Sequence, residues 1–171
     1  MQFGNTNICD SALNLRYGNP ASFKEYLMKA QAQNYEGERA MMEAYGLNKY
    51  NTATGVVQWM LANPWPSLIW HTYDYYLYPA GTYFGIKKSL EPLHIQYSYK
   101  SNEVIATNYL LKNFSGLKIK AKIFNADGML KYSKTITTDI TADAIKRCFA
   151  LPDIQNLSST YFLRLQLIAE N

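Results

Sequence analysis

The chain has 171 residues, 48% apolar and 15% aromatic, which suffices for one or one and a half globular domains and excludes an intrinsically disordered segment. Its net charge of +4 comes from 17 Lys and Arg scattered without a run of like charges, which argues against a nucleic-acid partner. No stretch reaches the about eighteen apolar residues of a bilayer span, so no membrane partner is expected, and Cys9, Cys148, His71 and His94 share no metal-ligand spacing, so neither a metal nor another cofactor is expected.

In chain order, residues 1–20 are turn-rich and polar, and predict a loop with one helical turn at 11–16. Their opening, MQFGNTNICD, lacks the basic stretch and apolar core of a leader. Ser22 and Glu25 have capping-box spacing and open a helix over 22–45. Phe23, Tyr26, Leu27, Ala30, Met41, Met42 and Tyr45 supply its apolar face, and Gly46 is the expected C-cap. Gly37 weakens the middle by up to about 1 kcal/mol relative to alanine, so fraying or close packing is expected there.

After a short turn at Asn51-Thr52, residues 55–61 read as a strand buried on both faces, since only Gln58 is polar among Val56, Val57, Trp59, Met60 and Leu61. That pattern suits a central parallel strand. Ala62-Asn63-Pro64-Trp65-Pro66 then begins a loop through residue 79, in which two prolines forbid continued pairing and stiffen an indole and a carboxamide. A loop at the C-terminal end of a buried parallel strand is where α/β enzymes place ligand-contacting groups. A shorter helix is expected over 81–89, and Pro92 marks a boundary.

From His94 the period changes to two. Leu117, Ile119, Ala121 and Ile123 alternate with Lys118, Lys120 and Lys122, a half-buried strand. Asn125-Ala126-Asp127-Gly128 supplies a hairpin turn into a returning strand at 130–136. Further strands fit 95–99, 103–111, 147–151 and 160–168, and short strands at this spacing predict a small antiparallel sandwich of immunoglobulin type.

The run ATGVVQWMLANPWPSLIWHTYDYYLYPAGTYFGIKKSLEPLHIQYSY resembles the end of the catalytic barrel of glycoside hydrolase family 2, closest to its exo-β-D-glucosaminidase branch and next to the β-mannosidases. KAQAQNYEGERAMMEAYG before it and STYFLRLQL after it resemble the same family in the same order, so the likeness covers nearly the whole chain. It implies an α+β two-part fragment. Residues 1–91 would be the last strand and helices of a TIM barrel, and 92–171 an antiparallel immunoglobulin-like sandwich lacking its last strand. A barrel needs eight strands, and this chain offers one.

The resemblance also implies a retaining exo-β-glycosidase, whose two carboxyl groups stand about 5–5.5 Å apart. In the family they lie on the fourth and seventh barrel strands, upstream of these residues, so the chain by itself is expected to be inert. Glu36, Glu38, Glu43 and Glu91 read as structural charges on a helix and at the boundary. Asp74 is expected to hold its loop through backbone amides, and His71 to be a satisfied loop or core histidine. Trp59, Asn63 and Trp65 are the expected sugar contacts, because an indole face stacks on a pyranose and an amide donates to and accepts from its hydroxyls. Packing at the barrel mouth is the alternative for both indoles, and packing is the reading for Trp70.

The lysine stripe at 118–122 reads as a solvated sheet face. Tyr97, Tyr99 and Tyr109 fit either a carbohydrate-binding surface or a core. The expected partners are a carbohydrate, glucosamine-terminated in the nearest branch, and the N-terminal part of the same enzyme; periplasmic or secreted location follows from the family alone. The rivals are a noncatalytic carbohydrate-binding or interaction module, and a scaffold that completes a barrel supplied by another chain.

Overall fold

The computed structural model describes residues 5–67 and 71–169, so Trp70 lies outside the described residues. The chain divides into two compact units, residues 1–90 and 91–171.

The first unit carries three helices, α1 (Asn7–Tyr17), α2 (Phe23–Leu47) and α3 (Gly81–Ser89). α1 is longer than the single turn expected at 11–16, and local polar contacts explain why. Thr6 Oγ1 donates to Asp10 Oδ2 (2.7 Å) in the first turn, and the phenol of Tyr26 on α2 donates to Asp10 Oδ1 (2.7 Å). Gly18, at φ 73°, closes the helix by donating its N–H to Asn14 O at 2.9 Å, a conformation glycine adopts without a Cβ penalty.

α2 begins as its capping pattern predicts. Ser22 Oγ accepts from Glu25 N (3.2 Å), and Glu25 Oε2 reaches back to Ala21 N (2.8 Å). The expected stop at Gly46 is not observed: the helix runs to Leu47, and Asn48 caps it, its Nδ2 donating to Ala44 O at 2.8 Å. The helix is continuous through Gly37, where an added Cβ would meet nothing within 4 Å, so neither fraying nor close packing occurs there.

The docking face of α2 also differs from the expected stripe. Phe23, Leu27, Met41 and Tyr45 are exposed, and of the seven predicted apolar positions only Met42 is buried. The contact is instead made by backbone. A Cβ on Gly81 or Gly85 of α3 would collide with the carbonyl oxygen of Gln31 or Tyr35 on α2, so two glycines one helical turn apart let the helices approach at main-chain distance. Gln31 Oε1 accepts from Gly81 N at 2.5 Å and satisfies one of the open N–H groups at the start of α3.

The strand expected at 55–61 is absent, which corrects the reading of this segment. Residues 55–61 join no ladder, and the described residues from 48 to 80 form only isolated bridges, Lys49 with Ala53, Ala62 with Tyr73 and Tyr73 with Pro79. A parallel strand needs neighbours for its slanted hydrogen bonds, and none is formed among the described residues of this unit. Deprived of them, Val57 is 85% exposed and Leu61 65%.

The second unit holds β1 (Leu93–Ser98), β2 (Glu103–Asn108), β3 (Phe114–Asn125), β4 (Leu130–Ile140), β5 (Ile145–Ala150) and β6 (Tyr161–Ile168). They form two three-stranded antiparallel sheets, in the orders β1-β2-β5 and β4-β3-β6. Val104 and Ala106 from one sheet and Leu117, Ile119, Ala121 from the other make the core, joined by Ile140. The alternation along β3 is as read from sequence: the apolar positions are buried, Lys118 is exposed, and Lys120 and Lys122 are half-buried. The β3-β4 turn closes with Gly128 at φ 83° donating to Asn125 O (2.9 Å). Asn108 pins the β2 end from within: its Nδ2 donates to Lys112 O and Thr141 O, each at 2.8 Å, and its Oδ1 accepts from Leu110 N at 2.9 Å. A buried amide with these partners carries no desolvation debt.

Candidate functional site

The three expected sugar contacts sit on the unpaired stretch that precedes the 71–80 loop. Trp59 is 71% exposed and Trp65 65%, whereas Asn63 is half-buried. The indoles therefore do not fill a packed interior among the described residues; each presents most of its surface outward. Their backbone is anchored where Tyr73 N donates to Leu61 O at 2.9 Å. The Tyr73 ring lies 5.2 Å from the ring of Tyr83 on α3, which ties this anchor to the helical layer.

Asp74 does what its setting predicts. Its Oδ1 accepts from Tyr78 N (2.9 Å) while its own N–H donates to Tyr78 O (3.1 Å), a reciprocal pair that closes a turn containing Leu77 at φ 65°. The carboxylate is thereby committed to structure. Ala80 N donates to Thr72 O at 3.0 Å and completes the return to α3.

His71 departs from its expected role as a satisfied histidine. It is 4% exposed, yet among the described residues neither Nδ1 nor Nε2 has a hydrogen-bond partner, and the neighbouring Thr72 Oγ1 is likewise buried and unpaired among them. Nothing in the sequence signals this, because satisfaction of a ring nitrogen depends on groups distant along the chain.

Several of the acids are engaged by structural partners. Arg39 lies between Glu36 and Glu43, with N–O separations of 3.3 and 3.6 Å, and its guanidinium sits 5.4 Å from the centre of the Tyr35 ring. Glu91 faces His94 at 3.4 Å, and Glu103 is bonded to Arg147. Glu38 is different: burial pushes its carboxyl above the usual range, and its Oε2 has no partner. It lines a cavity of about 230 Å³ with Ala12, Arg16, Gln33, Asn34, Gly37 and Thr82. Among the described residues no three His, Cys, Asp or Glu side chains converge as a metal site would require, and no helix is long and apolar enough to cross a membrane.

No family model matches the chain. Individual proteins do. It is 43% identical over 171 residues to an exo-β-D-glucosaminidase of Streptomyces avermitilis, covering 96% of this chain and 19% of that protein. It is 39% identical to an exo-β-D-glucosaminidase of Hypocrea jecorina, again over 171 residues. A mannosylglycoprotein endo-β-mannosidase of Lilium longiflorum is 26% identical over 156 residues. Among solved structures, the exo-chitosanase CsxA of Amycolatopsis orientalis superposes with a TM-score of 0.92 at 38% identity, over 98% of this chain and 20% of CsxA. A β-D-mannosidase from Dictyoglomus thermophilum shares the fold with a TM-score of 0.82 at 21% identity. The chain spans about a fifth of the length of these relatives. By sequence and by fold, the chain matches part of the exo-β-D-glucosaminidases of glycoside hydrolase family 2, with mannosidases next in similarity.

Proposed function

We propose that these residues form the end of the catalytic barrel and the following sandwich of a retaining exo-β-glycosidase that removes terminal glucosamine from chitosan-type chains. The observation that carries the reading is the 43% identity to an exo-β-D-glucosaminidase across 96% of this chain, combined with the exposure of Trp59 and Trp65 on an unpaired stretch. In this reading residues 1–91 contribute the last strand and helices of a (β/α)8 barrel. Residues 55–61 pair only when the preceding barrel strands of the same enzyme lie beside them. Residues 92–171 are an immunoglobulin-like sandwich short of its last strand; the orders β1-β2-β5 and β4-β3-β6 agree with that topology, with β6 left as an open edge.

Within the assembled enzyme, Trp59 and Trp65 stack on sugar faces and Asn63 bonds to hydroxyls. The acid/base and nucleophile come from elsewhere in the enzyme, as the family resemblance implies; Glu36, Glu43, Glu91, Glu103 and Asp74 are each engaged by a structural partner, and a single carboxylate cannot run a two-carboxylate reaction. The test has two arms. The 171-residue chain should leave an aryl β-glucosaminide intact, and turnover that survives purification overturns the reading. Saturable quenching of its tryptophan fluorescence by glucosamine oligomers, lost in Trp65→Ala, would favour the rival reading of a noncatalytic binding module; no response favours a fragment that is inert by itself.

A further inference from the structure

We propose that the 91–171 unit bears a second, noncatalytic subsite for a β-linked amino-sugar chain, built on Tyr97, Tyr99 and Tyr161. Tyr97 is on β1, Tyr99 follows it in the adjoining turn, and Tyr161 opens β6 in the other sheet. The rings of Tyr97 and Tyr99 stand 5.2 Å apart at 78°, an edge-to-face pair that fixes one ring against the other. Tyr97 is held at its far end as well, its phenol donating to Asn102 Oδ1 at 2.8 Å. Asn102 is itself immobilised: its N–H donates to Ser98 O and its carbonyl accepts from Leu151 N, both at 2.8 Å, with φ at 54°. Strands β1 and β6 are in contact, which brings the start of β6 toward the Tyr97 side of the unit; burial, with Tyr161 and Tyr99 nearby, holds the Tyr97 phenol above its ordinary pKa.

What this neighbourhood offers a ligand follows from its composition. Tyr99 is 69% exposed and Tyr161 47%, so both rings leave aromatic surface open to a ligand, each ending in a hydroxyl. Flat rings bordered by phenols and a carboxamide match a pyranose, which presents an apolar C–H face and a rim of hydroxyls. The amine of glucosamine, when protonated, adds attraction to the ring faces. Tyr109 is not part of the group; its backbone is tied to Pro92 O at the start of the unit. The choice of an amino-sugar chain rests on the substrate proposed above. An enzyme that trims one end of a polymer gains from holding the polymer at a separate place.

The test uses the 171-residue chain and a glucosamine hexamer, titrated calorimetrically. Trp65→Ala should leave measurable binding, and adding Tyr99→Ala should weaken what remains by about three- to tenfold; Tyr161→Ala should do the same. Tyr99 is exposed, so its replacement leaves the fold intact, which near-native circular dichroism would verify. If Trp65→Ala abolishes all binding, or if both tyrosine variants bind like the parent, this subsite does not exist and the aromatic-loop reading is untouched. If the tyrosine variants lose binding while tryptophan quenching is absent throughout, the subsite stands and the rival reading of the aromatic loop as a self-sufficient binding site falls. No heat of binding in any variant overturns the subsite.

Discussion

Gly85 of α3 lies so near Tyr35 of α2 that a Cβ added to it would fall inside 3.0 Å of the Tyr35 carbonyl oxygen and 3.2 Å from Arg39 N. The obstacle is backbone, which cannot rotate away as a side-chain tip can. The two helices would have to separate, and with them would move Tyr83 and its contact with Tyr73, which anchors the aromatic stretch. Gly85→Ala is therefore expected to destabilise the first unit by about 1–3 kcal/mol. Urea unfolding followed by tryptophan fluorescence reads this unit alone, since all three tryptophans lie in it.

Gly37 gives the opposite expectation on the same helix. Its position is helical and an added methyl meets nothing within 4 Å, so alanine removes unfolded-chain entropy at no steric cost. Gly37→Ala should stabilise the unit by about 0.5–1 kcal/mol. A drop in the urea midpoint would mean that the cavity beside Gly37 cannot accept a methyl group.

Two glutamates on α2 should bend the pH dependence of stability in opposite directions. The Lys29 ammonium and the Ala21 amide hold Glu25 below the usual carboxylate range. Its contribution is present above the unfolded value of about 4.3 and is lost as pH falls through the lowered folded value. Glu38 is raised by burial, so its contribution is present below the unfolded value and is lost as pH rises through the raised folded one. Glu25→Gln should lower the urea midpoint at pH 7, with the difference shrinking in acid. Glu38→Gln should raise the midpoint at pH 7 and match the parent in acid.

The stretch 56–61 should make the isolated chain self-associate. Val57, Trp59 and Leu61 form an exposed apolar run, and each large side chain gains about 1.5–3 kcal/mol when covered. Val57→Glu with Leu61→Glu should shift sedimentation toward monomer and reduce binding of a hydrophobic dye. A parent chain that is already monomeric and dye-silent would count against this.

Local chemistry was legible from the residues alone. The Ser22 cap, the α3 span, the Asn125–Gly128 turn and the alternation of β3 each depend on groups within a few positions of one another, and each is present as read. The likeness of residues 53–99 to glycoside hydrolase family 2 was also carried by the sequence. Tertiary structure decided the rest. The face by which α2 docks rests on glycines fifty residues away on α3, whose signal is a missing Cβ and not a hydrophobic stripe. Residues 55–61 have a strand's composition but no strand, because a β-ladder is a property of two segments and no second segment pairs with them among the described residues. The lack of a partner for His71 among the described residues was likewise hidden from the sequence, because hydrogen-bond satisfaction depends on groups distant along the chain.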